Sequence, residues 1–311
     1  MQDFLVTWFA SIPALALPYA LASVGLIISE RAGVLSLGAE GLMLVGALAG
    51  VGAYILTGGS DIAALLIAMI SAGLVSLIFA GLVVGLRVNQ VIAGLALVFF
   101  CQGLTNLIGT LAGWQNQAIA GMPDLPLGPL ENLPIVGPIF FRHDVLIYLL
   151  LPICWAVNRV LLSSNLGLRL RAVGENPAAA DAAGISVTGT RVLAIAAGAT
   201  LIGLAGGYLS VVSAKLWIAG MTSGRGWIAV ALVIFARWKP MQAVAGAFLF
   251  GGIEALIPQL NAAGVKLPQY YLVMAPYLAT LAVMIWQALG SRPASEAPAA
   301  LGQPYVREER S

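Results

Sequence analysis

Charge is what this chain has least of. Of its 311 residues only 9% are Asp, Glu, Lys or Arg, whereas a soluble domain carries about 25%. With 60% hydrophobic residues, the apolar surface exceeds what one buried core absorbs. The chain reads as a multi-pass membrane protein seated in the lipid bilayer. Histidine is nearly missing: His143 stands alone, which excludes a cluster of histidine metal ligands. The two cysteines, Cys101 and Cys154, fall inside apolar runs and read as small buried hydrophobes. A net charge of +2 leaves no electrostatic footprint for nucleic acid. No nucleophile–base pair or metal-ligand spacing is present, and GENPAAADAAG (174–184) lacks the GK[ST] of a phosphate loop. The chain is therefore expected to be no enzyme, to hold no cofactor or metal, and to take any ATP-driven work from another polypeptide.

What is present is a series of apolar runs near the 20 or so residues that a spanning helix needs. They are Phe4–Ser29, Val34–Leu56, Ile62–Leu86, Val88–Leu111, Val145–Leu162, Val192–Ala214, Met241–Leu260 and Tyr270–Leu289. Gly226–Ala236 is apolar but only about half a membrane thick at ~1.5 Å per residue, and reads as a half-span. The fold class expected is an all-α bundle of eight or nine transmembrane helices within residues 1–290. Met1–Thr7 lacks a basic n-region and further apolar runs follow, so a cleaved signal is not expected. Between the fourth and fifth runs, Gly113–Asp144 carries Pro123, Pro126, Pro129, Pro134 and Pro138, a density that forbids a continuous helix. Residues 291–311, with prolines, small residues and mixed charge, read as a disordered tail.

Orientation follows from the basic residues. With the loop at about 163–191 in the cytoplasm and the spans alternating, all but four of the 15 Lys and Arg residues lie inside. The four are Arg142, Lys215, Arg225 and Lys266. That is a positive-inside bias. It puts the N-terminus and the proline-rich loop outside and the C-terminus inside. Small residues recur at four-residue spacing in Gly46 and Gly50, in Ala199, Gly203 and Gly207, and in Ala243, Ala247 and Gly251, as expected where helices pack closely in lipid.

The longest polar stretch is Ser164–Val187. Its centre is a short punctuated helix: Asn176 as N-cap, Pro177 at the first position, Ala178–Ala183 as helix formers, then Gly184 where a left-handed residue is wanted. About two turns are not stable alone in water, so this helix must pack on something.

Two acids, Glu40 and Glu254, lie within apolar runs. Such acids mark an ion or proton path, or are carboxyls hydrogen-bonded to a neighbouring helix. LSLGAEG (35–41) and MTSGRGW (221–227) both open apolar helices with glycine interruptions, and on this topology the two helices run in opposite directions. Paired glycine-broken segments of opposite direction are what an inverted repeat leaves beside a translocation path. Gly38, Gly41, Gly224, Arg225 and Gly226, with Glu40 and Glu254, are the candidate path residues, and Arg225 is expected near the outer mouth. An ion-coupled transporter or channel using Glu40 and Glu254 is the alternative.

Three motifs in order carry a resemblance: ERAGVLSLGAEGLMLVGA (30–47), RAVGENPAAADAAGI (171–185) and GMTSGRGWIAVALVIFARWKP (220–240). Together they resemble the integral-membrane permeases of bacterial ABC importers, in the branch of simple-sugar, nucleoside and branched-chain amino acid permeases, with the nearest likeness to the nucleoside/simple-sugar type. The resemblance implies a bacterial cytoplasmic (inner) membrane protein that pairs with a second permease subunit, as a heterodimer or homodimer. It also implies an ATP-binding subunit docked on the cytoplasmic side and an extracytoplasmic solute-binding protein that delivers the ligand. By position it assigns Arg171, Glu175, Asn176, Pro177, Asp181 and Gly184 to the segment that couples to the ATPase.

Overall fold

The structure, a computed structural model, describes residues 2–125, 128–262, 264, 274, 278, 281–282, 285 and 297–306. Ten α-helices are formed among them: α1 (Gln2–Glu30), α2 (Ala39–Leu56), α3 (Asp61–Ala80), α4 (Gln90–Leu111), α5 (Val145–Ser163), α6 (Asn165–Glu175), α7 (Pro177–Ala182), α8 (Val187–Gly207), α9 (Arg225–Phe235) and α10 (Pro240–Ala262). Single π-helical turns extend α3 to Gly85 and α8 to Ser213. Seven of the helices, α1–α5, α8 and α10, are long and apolar enough to cross a membrane. They match the expected runs in order. The expected last span, 270–289, falls almost entirely outside the described residues.

Polar caps set the helix starts. Asn89 accepts from the amides of Val91 and Ile92, Asp144 from those of Leu146 and Ile147, and Ser186 from that of Gly189. Asp144 also receives the Tyr208 hydroxyl at 3.1 Å. Burial raises the Asp144 carboxyl above its ordinary range, against the opposing pull of these hydrogen bonds.

The interior is built from α1, α2 and α8, whose side chains are buried for most of their length. Here the small residues of the sequence do what their spacing implies. A Cβ on Gly46 would fall on the carbonyl of Gly203, one on Gly206 on the carbonyl of Met43, and one on Gly251 on the backbone of Ala16. Helices in lipid gain by such close approach because burial itself offers no preference over lipid tails. On the outside, α3, α4 and α5 present Leu74, Ile92, Phe99, Leu107, Leu151 and Trp155 outward, an apolar surface suited to lipid or to another membrane subunit.

The ends of the bundle differ. At one end, the turn between α3 and α4, the segment α6–α7, the elbow at 31–33 and the corner at 236–239 come together. At the other, the proline-rich loop folds over the end of α8: Ile119 N–H donates to Lys215 O and Asn116 N–H to Trp217 O, both at 2.9 Å. In place of a continuous helix that loop has a 3₁₀ turn at Gly128–Asn132 and a π turn at Gly137–Phe141.

One part of the expected tail departs from its reading. Residues 297–306 pack against α6 and α7, with Ala300 N–H donating to Gly174 O at 2.9 Å and Tyr305 Oη to Asp181 Oδ2 at 3.1 Å. Small residues and prolines cost little entropy to fix, so composition alone does not mark such a segment as loose.

Candidate functional site

Two crossings are only half helical. After α1 the chain turns at the elbow and runs without helix from Val34 to Gly38 before α2 begins at Ala39. The expected helix from Val34 is thus corrected: its first residues lie beside α4 as non-helical backbone. Leu35 N–H donates to Gln90 Oε1 at 2.6 Å, and Gly41 packs on Val98 and Cys101. Rising along α4 from Gln90 to that level lifts the start of α2 by roughly 12–16 Å at 1.5 Å per residue. Such backbone is tolerated at membrane depth only where protein encloses it, and residues 32–41 are nearly all buried.

The second crossing mirrors this arrangement. From the end of α8 the chain descends without helix through residues 214–224, and α9 completes the traverse. Gly224 takes φ +85 as the N-cap of α9, a left-handed conformation that glycine reaches without Cβ strain. The far end of α9 is clamped to the elbow. Trp238 Nε1 donates to Glu30 Oε2 at 2.6 Å, while Arg31 Nε and Nη2 donate to Trp238 O at 3.1 and 3.0 Å. The eleven residues of α9 are too short to cross alone, yet with their irregular lead they reach from one end of the bundle to the other.

The two half-crossings meet at their helix N-termini, and Glu40 is the joint. Its Oε1 accepts from Thr222 Oγ1 at 2.6 Å and from Gly224 N–H at 2.8 Å, and its Oε2 accepts from Gly226 N–H at 2.7 Å. The amides are orphan donors of the first turn of α9, where a carboxylate is favoured by hydrogen bonding and by the helix dipole. Contact is tight enough that a Cβ on Gly226 would strike the backbone of Glu40. The bonding pattern fits a structural role for Glu40: both oxygens are engaged and 8% of the residue is exposed.

Arg225, next in the same turn, points to α10. Its Nη2 meets Glu254 Oε1 at 2.5 Å, and Tyr19 Oη donates to Glu254 Oε2 at 2.7 Å. Arg225 was expected at the outer mouth. It lies instead in the bundle interior, because the preceding linker re-enters rather than ending at the surface. Gly38 packs against Leu97 of α4. The motif glycines and both acids are thereby brought to one region, although 182 residues separate Glu40 from Thr222.

Beside this joint opens a cleft of about 350 Å³, lined among others by Glu40, Phe99, Gln102, Ser223 and Trp227. The rings of Phe99 and Trp227 are exposed. Trp227 stands within a motif visible in the sequence, whereas Phe99 and Gln102 lie in an unremarkable spanning run that gives no local signal. Nor does a local signal mark Gln90, Tyr19 and Trp238 as the partners that fix the broken segments.

At the other candidate region, α7 has the expected punctuation. Asn176 Oδ1 accepts from Ala179 N–H at 2.9 Å. Gly184, at φ +81, follows the helix, with Gly184 N–H donating to Asp181 O and Ile185 N–H returning to Ala180 O, both at 2.9 Å, the two-bond closure usual at glycine-ended helices. Val173, Ala180 and Val187 form a small satellite core that holds the helix. Ala178, Ala179, Ala182 and Ala183 are exposed. Arg171 turns back on its own chain, to Leu162 O at 3.3 Å and Gly167 O at 3.4 Å, and so closes the corner between α5 and α6. Glu175 is exposed and accepts from Ala299 N–H at 3.4 Å.

Comparison with known proteins places this architecture. The profile of the family described as "Branched-chain amino acid transport system / permease component" matches residues 9–285. A putative glucose ABC transporter permease protein of Haloferax volcanii is 40% identical, over 93% of this chain and 94% of its own length. A guanosine ABC transporter permease protein of Bacillus subtilis is 32% identical over 95% of both chains. A nucleoside ABC transporter permease protein of Lactococcus lactis is 30% identical over 86% of this chain and 87% of its own.

Proposed function

The chain belongs to the branched-chain amino acid transport system permease component family, and from that premise we propose that it forms part of the import path for a nucleoside or simple sugar. It is a multi-pass permease subunit of an ABC transporter. In this reading the solute passes beside the joint of the two half-crossings. The observation that carries it is the meeting of two oppositely directed, glycine-broken segments around Glu40, next to a cleft that offers both aromatic faces and polar groups. Broken segments of this kind flank translocation paths, and Phe99 and Trp227 with Gln102 and Ser223 suit a ring with a polar edge. A second permease subunit closes the path against the exposed faces of α4. The path is built alike in its two halves, each entering as non-helical chain and leaving as helix.

The energy comes from an ATP-binding subunit on the face that carries α7, taken as cytoplasmic from the distribution of Arg and Lys. Its contact surface is the exposed side of α7, with Asn176, Pro177 and Gly184 fixing the helix and Glu175 and Asp181 at its edges. An extracytoplasmic binding protein delivers the solute at the opposite end. The ion-coupled alternative draws no support from its two acids, since Glu40 is bonded to three donors and Glu254 is paired with Arg225.

Affinity purification in mild detergent tests the proposal, followed by uptake of labelled guanosine and glucose into liposomes holding the recovered complex. The expected result is recovery of an ATPase chain and a second permease, with uptake that needs ATP and survives a protonophore. A chain recovered alone, with uptake that collapses when the proton gradient is discharged, would overturn it.

A further inference from the structure

Four separate pieces of the molecule converge at Gly33. A Cβ built there would meet Arg191 Nη2 of α8 at 3.1 Å, Ala300 O at 3.3 Å and Gly174 Cα of α6 at 3.4 Å. The piece with no place in the function so far is 297–306. It holds to every other member of the group. Ala300 N–H donates to Gly174 O, Gly302 N–H to Gly33 O at 3.3 Å, and Tyr305 Oη to Asp181 of α7. Buried Arg191, 3% exposed, donates from Nη1 to Gln303 O at 3.1 Å. Leu301 and Ala297 pack on the main core, while Tyr305 packs on the satellite core beneath α7.

We propose that residues 297–306 are a strap that gears the coupling segment α6–α7 to the elbow at 31–33, and so to the joint at Glu40. The inference rests on the reading that an ATPase docks on α7. The strap lies against the supported side of that helix, where Tyr305 joins Val173, Ala180 and Val187. The face of Ala178, Ala179, Ala182 and Ala183 stays open. The strap therefore backs the docking helix and does not compete for its free face. A six-residue helix has no stability of its own, so a force applied to it moves whatever backs it. Here the backing is bonded to Gly33, in the turn before the non-helical stretch 34–38 that leads to Glu40. The α6 helix touches the elbow at the same place: a Cβ on Gly174 would strike Arg31 O. A push on α7 thus reaches the half-crossings through the elbow.

The test uses the whole importer, reconstituted with its ATPase, second permease and binding protein, with guanosine and glucose as probes. Solute moved per ATP hydrolysed is compared for the wild type, for a chain ending at residue 296 and for Tyr305→Phe, which keeps the ring and loses only the hydroxyl. We expect the ATPase to co-purify with all three. The ratio should fall roughly two- to tenfold in Tyr305→Phe, the span that one net hydrogen bond covers, and further in the shortened chain. An unchanged ratio in Tyr305→Phe overturns the strap, and so does a lowered melting temperature at an unchanged ratio, since a merely structural segment alters the amount of active protein and not its coupling. If the shortened chain fails to assemble, Tyr305→Phe alone decides between these outcomes. A wild-type chain that recovers no ATPase refutes the docking reading and the strap with it, whereas a bound ATPase with full coupling in the variants refutes the strap alone.

Discussion

At the scale of single residues, the acids inside the bundle are answered by specific donors. Glu254 and Arg225 form the one ion pair found among the described residues, with side chains 21% and 20% exposed. A pair this enclosed costs most when one member is removed, because the survivor keeps its desolvation penalty. Arg225→Met and Glu254→Gln are each expected to destabilise by about 1–3 kcal/mol, less than for a fully buried pair because water screens part of the charge. The double variant should recover much of the loss. Melting of the four proteins in detergent, treated as a double-mutant cycle, measures this; strictly additive losses would show that the pair contributes nothing. Why the sequence misplaced Arg225 is also a residue-scale matter. A cation after a glycine-rich stretch looks like a surface anchor, and nothing local announces an acid 29 positions later on another helix.

Among the elements, the half-crossings govern the design. Their geometry depends on backbone meeting backbone, so Gly226→Ala should be intolerable: its Cβ lands on the main chain of Glu40, which cannot rotate away as a side chain would. The expected cost is about 1–3 kcal/mol, seen as a lower melting temperature together with lost uptake. Gly252→Ala is the control, because its Cβ would meet only Ile12 Cδ1 at 3.6 Å; equal melting of the two variants would remove the steric argument. Much at this scale was legible beforehand. Spans follow from run length and hydropathy, and α7 from Asn176, Pro177 and Gly184. The glycine-broken openings were visible as motifs. Their mutual contact was not, since joining residues 40 and 226 takes the whole intervening fold. Nor was the docked strap visible, because Ala297, Leu301 and Tyr305 have no periodicity and signal order only through what they touch.

For the whole molecule, the two ends make different demands on the surroundings. One end has an irregular loop folded over α8; the other gathers the elbow, α6–α7 and the strap. The proposed orientation is tested by adding single cysteines at Leu130 and Arg169. Native Cys101 and Cys154 are buried and free, so background labelling should be low. A membrane-impermeant maleimide is expected to label Leu130→Cys in intact cells and Arg169→Cys only after permeabilisation. The reverse pattern would invert the molecule, and the ATPase would then have to be sought at the opposite end.

The bonds that satisfy Glu40 have a consequence for biogenesis. Its last donor, Gly226, is encoded 186 residues downstream. At roughly 5–20 residues per second, a ribosome needs on the order of 10–40 s to supply it. Through that interval α2 resides in the membrane carrying an acid whose mates have not been made. Until α9 arrives, other hydrogen-bond donors, water among them, must serve that carboxyl. A polypeptide truncated before Thr222 keeps the same acid permanently without these three donors.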